Sequence, residues 1–280
     1  MSLLRTQKIA YSGEWETFRY GQFTAGRNIG NIVIAQPGLW ATVEDSFFIQ
    51  SLREKVVSGA NFSLFAVDHP CYGLNERPYL GDLTLPACVA NTQKAVKYIL
   101  DLRSTKKVIW AGNSIGYLSL FNAVCENNND PRILGILGKS GISSYQTILG
   151  RMLMQFWNKG DYWAAWNKLF KHFNIDKATW NCTIEVNAWE PVTIHENFIF
   201  SCITPRESRT TLLPVECWQG ENDTYTSPSE MQEHNWGNII VHVQKGVWHN
   251  LSTWPNDTTP ARVHAEMVLR MGEIFWESGN

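Results

Sequence analysis

The segment from Lys106 to Leu118, which reads KKVIWAGNSIGYL, sets a serine between two glycines at the point where a strand is expected to turn into a helix. The apolar run VIW before the turn is typical of a buried strand. Gly112 and Gly116 lack the Cβ atoms that would collide if the chain reversed sharply around Ser114. Such a turn exposes the hydroxyl of Ser114 at the carboxyl edge of a sheet, where a nucleophile is needed.

The pentapeptide GNSIG at 112–116 matches the G-x-S-x-G nucleophile elbow of the α/β-hydrolase fold. A helix from Leu118 to Cys125 is expected directly after it. A phosphate-binding loop would need G-x-x-x-x-G-K-[ST] or G-x-G-x-x-G, and neither pattern is present here; a purely structural glycine-rich turn is the other alternative. The chain therefore resembles members of the α/β-hydrolase superfamily, and the resemblance covers nearly its whole length.

A serine is a weak nucleophile at neutral pH, so a histidine must accept its proton and a carboxylate must orient that histidine. The resemblance implies the order Ser, then Asp or Glu, then His, each at the end of a later strand. Asp223 follows the predicted strand LPVECWQ, and His249 follows the predicted strand NIIVHVQ. Both fall where the acid and the base belong, with Glu221 as the reserve acid. An Asx turn or a helix cap before Pro228 is the structural alternative for Asp223, and one residue can fill both roles.

Strands that alternate with amphipathic helices predict an α/β fold with a mostly parallel sheet, covered by helices on both faces. Eight strands are expected, the number that this superfamily uses. They are Lys8 to Tyr11, Thr17 to Phe23, Asn31 to Ala35, Phe62 to Val67, Lys107 to Trp110, Ile133 to Leu137, Pro214 to Trp218 and Ile239 to Val243. Helices are predicted over Glu44 to Val57, Leu85 to Leu102 and Ala261 to Phe275.

Negative charge that develops on an attacked carbonyl oxygen needs preplaced backbone donors, each worth roughly 3–4 kcal/mol in known cases. The N–H of Ile115 is one expected donor, because the residue after the nucleophile opens the helix. The second is expected from the loop QPGLW at 36–40, which resembles the family's H-G-x loop with Pro37 in place of histidine. Proline cannot donate, so Leu39 is the predicted donor, although Pro-Gly is also a plain turn signal.

The segment DHPCYG at 68–73 resembles the D-x-x-G-x-G loop of the same enzymes. That loop is usually structural. His69 and Cys71 are residue types capable of catalysis, but a strand-end loop near a pocket also holds packing residues. A structural role is therefore predicted for both.

The superfamily inserts a cap between its sixth and seventh strands, so the predicted division is a hydrolase core at 1–142 and 212–280 with an aromatic-rich helical cap insertion at 143–211. The cap is rich in Trp, Phe, Tyr and Met between Arg151 and Phe173, and aromatic residues there fall on one face of a predicted helix. Helices that dock on the core would explain this stripe as ordinary packing. Some of its rings can also roof an apolar pocket over Ser114. The candidate substrate-binding residues are Trp40, Trp157, Trp163 and Trp248.

The predicted activity is that of a serine hydrolase that forms an acyl-enzyme with a small to medium, apolar or aromatic ester or thioester. Hydrolysis or cyclisation of a polyketide-like chain in a biosynthetic pathway fits the same chemistry. One alternative is C–C bond hydrolysis, because the elbow is similar to the G-N-S-x-G-G elbow of meta-cleavage-product hydrolases, with Tyr117 in place of the last glycine. A non-hydrolytic ligand-binding protein and a lidded lipase that acts at a lipid surface are the others.

Composition and charge limit the classes of partner that the chain is expected to bind. The net charge of −2 and the absence of Lys or Arg runs argue against nucleic acid. No stretch approaches about 18 apolar residues and the first residues lack an apolar signal segment, so no membrane insertion and a cytoplasmic location are predicted. The six cysteines show no C-x-x-C pairing and no metal-ligand spacing, so free thiols, no metal and no cofactor are predicted. A small apolar molecule is the expected partner, and the oligomeric state is open.

Overall fold

An eight-stranded sheet carries the candidate site at its carboxyl edge. The computed structural model describes residues 6–14, 17–38, 41–75, 83–127, 130–141, 175–176, 181–187, 190–195, 201, 211–223, 226–233, 239–249, 251 and 258–279. The strands of this sheet are β1 (Thr6–Glu14), β2 (Thr17–Thr24), β3 (Asn31–Gln36), β4 (Ser63–Val67), β5 (Lys107–Asn113), β6 (Ile133–Lys139), β10 (Val215–Gly220) and β11 (Ile239–Gln244). Strands β7 to β9 belong to a second sheet, described below.

The strand order is β1-β2-β4-β3-β5-β6-β10-β11. The pairs β1–β2 and β2–β4 are antiparallel, and the other five neighbouring pairs are parallel. All residues of β3 and β4 are buried, as expected for parallel strands with both faces covered. The predicted mostly parallel eight-stranded sheet is confirmed, and each predicted strand overlaps an observed one.

Helices cover both faces of the sheet and form two apolar clusters with it. They are α1 (Phe47–Val57), α2 (Leu85–Asp101), α3 (Ile115–Asn127), α4 (Pro228–Glu233) and α5 (Thr259–Glu277). Strand β5 shows how one strand serves both clusters: Val108 and Trp110 pack with α2 and α3, whereas Ile109 and Ala111 pack with α1 and α5. This alternation follows from the two-residue period of a strand, and β5 is an inner strand of the sheet, between β3 and β6.

A second sheet, of three antiparallel strands, lies in the segment predicted to be a helical cap. Its strands are β7 (Ile175–Asp176), β8 (Asn181–Asn187) and β9 (Glu190–His195), in the order β7-β8-β9. The prediction of a helical insertion was wrong for these residues, because NCTIEVN and EPVTIH are rich in β-branched residues that favour strands. The aromatic stripe at 151–173, on which the helical prediction depended, is outside the described residues. The domain boundaries at 142/143 and 211/212 remain a prediction.

None of the described helices is both long and apolar enough to cross a membrane. The four cysteines whose side chains are described, Cys71, Cys88, Cys125 and Cys217, form no disulfide bond with one another.

Two glycines allow the sharp passage from β5 into α3. A Cβ atom at Gly112 would collide with the backbone of Tyr117, and one at Gly116 would collide with the carbonyl oxygen of Pro37 and lie 2.5 Å from that of Gln36. The obstacles are backbone atoms, which cannot rotate away as a side chain can. The glycine pattern of the sequence is therefore required by close backbone approach.

We expect Gly116→Ala to lower the free energy of unfolding by about 1–3 kcal/mol, because the new methyl group forces the loop after β3 away from α3. Gly272→Ala is a matched control: this glycine lies within α5 and has no atom within 4 Å of its would-be Cβ. It should raise stability by about 0.5–1 kcal/mol through helix propensity. Urea unfolding of both variants measures the difference, and equal effects would contradict the collision.

A buried histidine joins α5 to α1. His264 is 2% exposed, and its ring packs against Phe47 and Phe48 at centroid distances of 5.1 and 5.4 Å. Within the described part of the chain, neither ring nitrogen has a hydrogen-bond partner. Burial and the positive charge of Lys139 together lower the pKa of His264 to about 3, so the imidazole is neutral in the folded protein.

This neutral imidazole predicts a loss of stability in acid. As pH falls from 6.5 towards 3, the unfolded chain can protonate His264 and the folded chain cannot. We expect this residue to reduce the free energy of unfolding by up to about 2 kcal/mol between neutral pH and about pH 5. His264→Phe keeps a ring in the same space and should flatten the decline in urea titrations across this range. An unchanged slope in the variant would contradict the assignment.

Candidate active site

Ser114 lies at the tight turn between β5 and α3. Its φ angle is +53°, in the left-handed region that side-chain-bearing residues rarely adopt. The backbone N–H of Ser114 donates to the carbonyl of Lys139 on the neighbouring strand at 3.0 Å. The strained residue is thus held by the sheet, and its side chain is only partly buried.

The structure brings Ser114, His249 and Asp223 into one chain of hydrogen bonds. His249 Nε2 lies 2.9 Å from Ser114 Oγ, and His249 Nδ1 lies 2.7 Å from Asp223 Oδ2. A carboxylate can only accept, so Nδ1 carries the ring proton and Nε2 accepts from the serine hydroxyl. The three residues follow β5, β10 and β11, so each comes from a strand end at the same edge of the sheet.

The carboxylate of Asp223 is held from several sides. Its side chain is fully buried; Gln219 Nε2 donates to Oδ2 at 2.6 Å, and the N–H of Thr226 donates to Oδ1 at 3.1 Å. The same Gln219 amide donates to the carbonyl of Thr226 at 2.7 Å. Asp223 thus contacts both its own loop and His249. Its role as the triad acid remains a prediction. The reserve acid, Glu221, accepts instead from the N–H of Gly246 at 2.8 Å.

Of the two predicted oxyanion donors, Ile115 is among the described residues and Leu39 is not. Ile115 is the first residue of α3, where a backbone N–H has no acceptor within the helix. Leu39 lies outside the described residues. The loop before it is described, and a Cβ at Gly38 would lie 3.1 Å from Asn113 Nδ2 and 3.5 Å from Ser114 Cβ. The loop after β3 therefore runs directly beside the serine, and the role of both donors remains a prediction.

Sequence reasoning missed two buried glutamines, Gln36 and Gln219, that contact residues of the site or of the loop beside it. Gln219 contacts Asp223, and Gln36 contacts His69, whose other ring nitrogen contacts the loop after β3. Gln36 and Gln219 are 1% and 0% exposed. The signal that could have found them is an uncharged amide at the carboxyl end of a buried strand, where a polar side chain needs a partner.

The segment 68–73 holds the neighbouring loops in place. Asp68 accepts from the N–H groups of Val43 and Leu74 at 2.7 and 2.8 Å, and burial raises its pKa to about 6. His69 and Cys71 are both buried. Their surroundings fit the structural role that the sequence predicted for this loop.

Tyr117 occupies the position at which the related G-N-S-x-G-G elbow has a glycine. It is fully buried, and its ring lies against two glycines: a Cβ at Gly138 would be 2.5 Å from Tyr117 Cδ2, and one at Gly141 would be 3.0 Å from Cδ1. The bulky ring therefore fits because the facing segment has no side chains there.

Of the four tryptophans predicted to bind substrate, only Trp248 is described. It directly precedes His249, and 53% of its surface is exposed. Trp40, Trp157 and Trp163 lie outside the described residues. Among the residues that the structure does describe, no three His, Cys, Asp or Glu side chains are grouped so as to hold a metal ion.

Comparison with known proteins rests on structure, since no family model and no curated protein matches the sequence. Alpha/beta hydrolase domain-containing protein 10 from mouse is 13% identical, with a TM-score of 0.67 over 97% of this chain and 98% of that one. Est1E from Butyrivibrio proteoclasticus, in a structure with ferulic acid bound, is 14% identical, with a TM-score of 0.63 over the same shares. An esterase from Pyrococcus furiosus is 14% identical, with a TM-score of 0.63 over 98% of this chain and 91% of that one.

At such identities the likeness concerns the fold, and it extends over almost the whole of each chain. The strand order and the strand-turn-helix passage at Ser114 agree with it. The chain therefore has the α/β-hydrolase fold that its nucleophile-elbow motif predicted.

Proposed function

We propose that this protein is a serine hydrolase, with Ser114 as nucleophile, His249 as general base and Asp223 as the residue that orients the base. The observation that carries the proposal is the continuous hydrogen-bonded chain from Asp223 through His249 to Ser114, at 2.7 and 2.9 Å. Its serine end lies on a strained, partly exposed turn, which is the geometry that an attacking hydroxyl requires.

The reaction begins when Ser114 Oγ attacks a carbonyl carbon and His249 Nε2 takes the hydroxyl proton. The carbonyl oxygen becomes negative and is stabilised by the N–H of Ile115 and, in this proposal, by that of Leu39. Collapse of the tetrahedral intermediate expels the leaving group, which takes the proton from His249 and leaves an acyl-enzyme. Water, deprotonated by His249, then attacks the acyl carbon and restores the serine. The buried Asp223 stabilises the imidazolium in both halves.

The proposed substrate is a small to medium, apolar or aromatic ester or thioester. The aromatic and methionine-rich composition of the proposed cap at 143–211 supports this class, as does the exposed ring of Trp248 beside His249. The structural neighbour Est1E binds ferulic acid, an aromatic acid. If an internal hydroxyl of the acyl chain replaces water, the same acyl-enzyme yields a ring, so a biosynthetic role in hydrolysis or cyclisation is included.

An activated serine is tested by intact mass after exposure to a small fluorophosphonate. We expect one covalent adduct on the wild-type protein and none on Ser114→Ala, because only a serine deprotonated by a neighbouring base reacts at a useful rate. A panel of short p-nitrophenyl and methyl hydroxycinnamate esters, assayed in parallel, then ranks aliphatic against aromatic acyl groups. An unlabelled wild-type protein, or equal labelling of both, would contradict the proposal and favour a non-hydrolytic binding protein.

The role of Asp223 is tested against Glu221 on the same loop. Asp223→Asn should reduce kcat by roughly 10⁴-fold, because an amide can favour the wrong tautomer of His249 while it keeps the shape of the carboxylate. Glu221→Gln removes a charge two residues away, on a side chain that contacts Gly246 rather than His249, and should leave kcat within about threefold. Comparable losses in the two variants would show that charge, and not orientation of the histidine, is what matters.

A further inference from the structure

A buried histidine outside the proposed triad contacts the loop that runs beside Ser114. His69 follows β4 and is 0% exposed. Its Nε2 lies 2.9 Å from the carbonyl oxygen of Pro37, and its Nδ1 lies 3.2 Å from Gln36 Nε2. Gln36 Oε1 in turn lies 2.8 Å from the hydroxyl of Thr92 on α2. Both ring nitrogens are therefore engaged with the residues at the end of β3.

The direction of each hydrogen bond follows from the groups involved. A carbonyl oxygen can only accept, so His69 Nε2 carries the proton and donates to Pro37. His69 Nδ1 is then the acceptor for the amide of Gln36, whose oxygen accepts from the hydroxyl of Thr92. Only a neutral imidazole fits this arrangement, and burial lowers the pKa of His69 to about 4, which keeps it neutral.

The carbonyl that His69 holds is part of a rigid unit. Because the peptide group is planar, fixing the Pro37 oxygen fixes the plane that also contains the N–H of Gly38. The same unit also packs on the elbow: a Cβ at Gly116 would collide with the Pro37 oxygen, and a Cβ at Gly38 would lie 3.5 Å from Ser114 Cβ. The start of the loop thus contacts both His69 and the first turn of α3.

We propose that His69 is a positioning residue for the oxyanion hole: its Nε2–H sets the plane of the Pro37–Gly38 peptide at the start of the loop beside Ser114. This inference rests on the proposed hydrolase function. A phenylalanine would fill similar volume if packing were the only need, whereas burying an imidazole costs free energy that hydrogen bonds to its nitrogens offset. Here both nitrogens pair with the segment that leads to Leu39.

The test compares variants of His69 in ester hydrolysis. His69→Phe keeps a ring but removes both hydrogen bonds, and it should lower kcat by roughly 10²-fold with KM changed less than about threefold, since displaced donors weaken transition-state binding more than substrate binding. Affinity for an aryl trifluoromethyl ketone, whose adduct with the serine carries an oxyanion, should fall by a similar factor. His69→Gln retains an amide N–H that can reach Pro37 and should recover most of the rate.

Leu52→Ala is the control for lost stability, because Leu52 is fully buried on α1, in the apolar cluster that α1 and α5 form on one face of the sheet. Assayed below its unfolding temperature, it should keep kcat. Thr92→Val removes the hydroxyl that donates to Gln36, the residue that bonds to His69. It is the substitute test if His69→Phe does not fold. We expect it to cause a smaller loss of kcat, again without a change in KM.

Two failures are distinguishable. If the wild-type protein forms no fluorophosphonate adduct, the hydrolase function fails and this inference fails with it. If the wild type reacts but His69→Phe and Thr92→Val keep wild-type kcat, or change only KM, or lose no more kcat than Leu52→Ala, the function stands and the positioning role of His69 is overturned.

Discussion

The close contact between the first turn of α3 and the loop after β3 is the constraint on which the rest of the site depends. It requires a backbone without a side chain at Gly116, because the carbonyl oxygens of Gln36 and Pro37 occupy that space. The same contact lies next to Ser114, because a Cβ at Gly38 would be 3.5 Å from Ser114 Cβ. The loop after β3 can therefore approach the serine only where the first turn of α3 has no side chain.

Two buried glutamine amides form hydrogen bonds near the carboxyl edge of the sheet. Gln36 at the end of β3 bonds to His69, and Gln219 in β10 bonds to Asp223. An amide offers a donor and an acceptor without a charge, so it can satisfy a buried polar neighbour without the desolvation cost of an ion. Each glutamine bonds to a side chain that makes a further hydrogen bond, Asp223 to His249 and His69 to the carbonyl of Pro37. Buried polar networks whose members are all paired are rigid.

Much of the fold could be predicted, since its signals are local. Apolar runs and helical periodicity gave the eight strands and the main helices, with ends that differ by a few residues. The helical assignment failed at Asn181–Asn187 and Glu190–His195, because it was extended from an aromatic stripe elsewhere in the insertion. The β-branched residues of those two segments favour strands, but the prediction for the insertion was based on the aromatic pattern at 151–173.

The order of elements, the glycine-flanked turn at Ser114 and the loops that hold a candidate acid and a candidate histidine could be predicted, because each depends on residues that are adjacent in the chain. Other features depend on contacts between distant parts of the chain. Asp223 and Glu221 lie two residues apart on one loop, and only the packing of β10 against β11 directs one towards His249 and the other towards Gly246. The bonding of His69 to Pro37 likewise joins the ends of two strands, β3 and β4, and such a contact depends on distances that no local pattern contains.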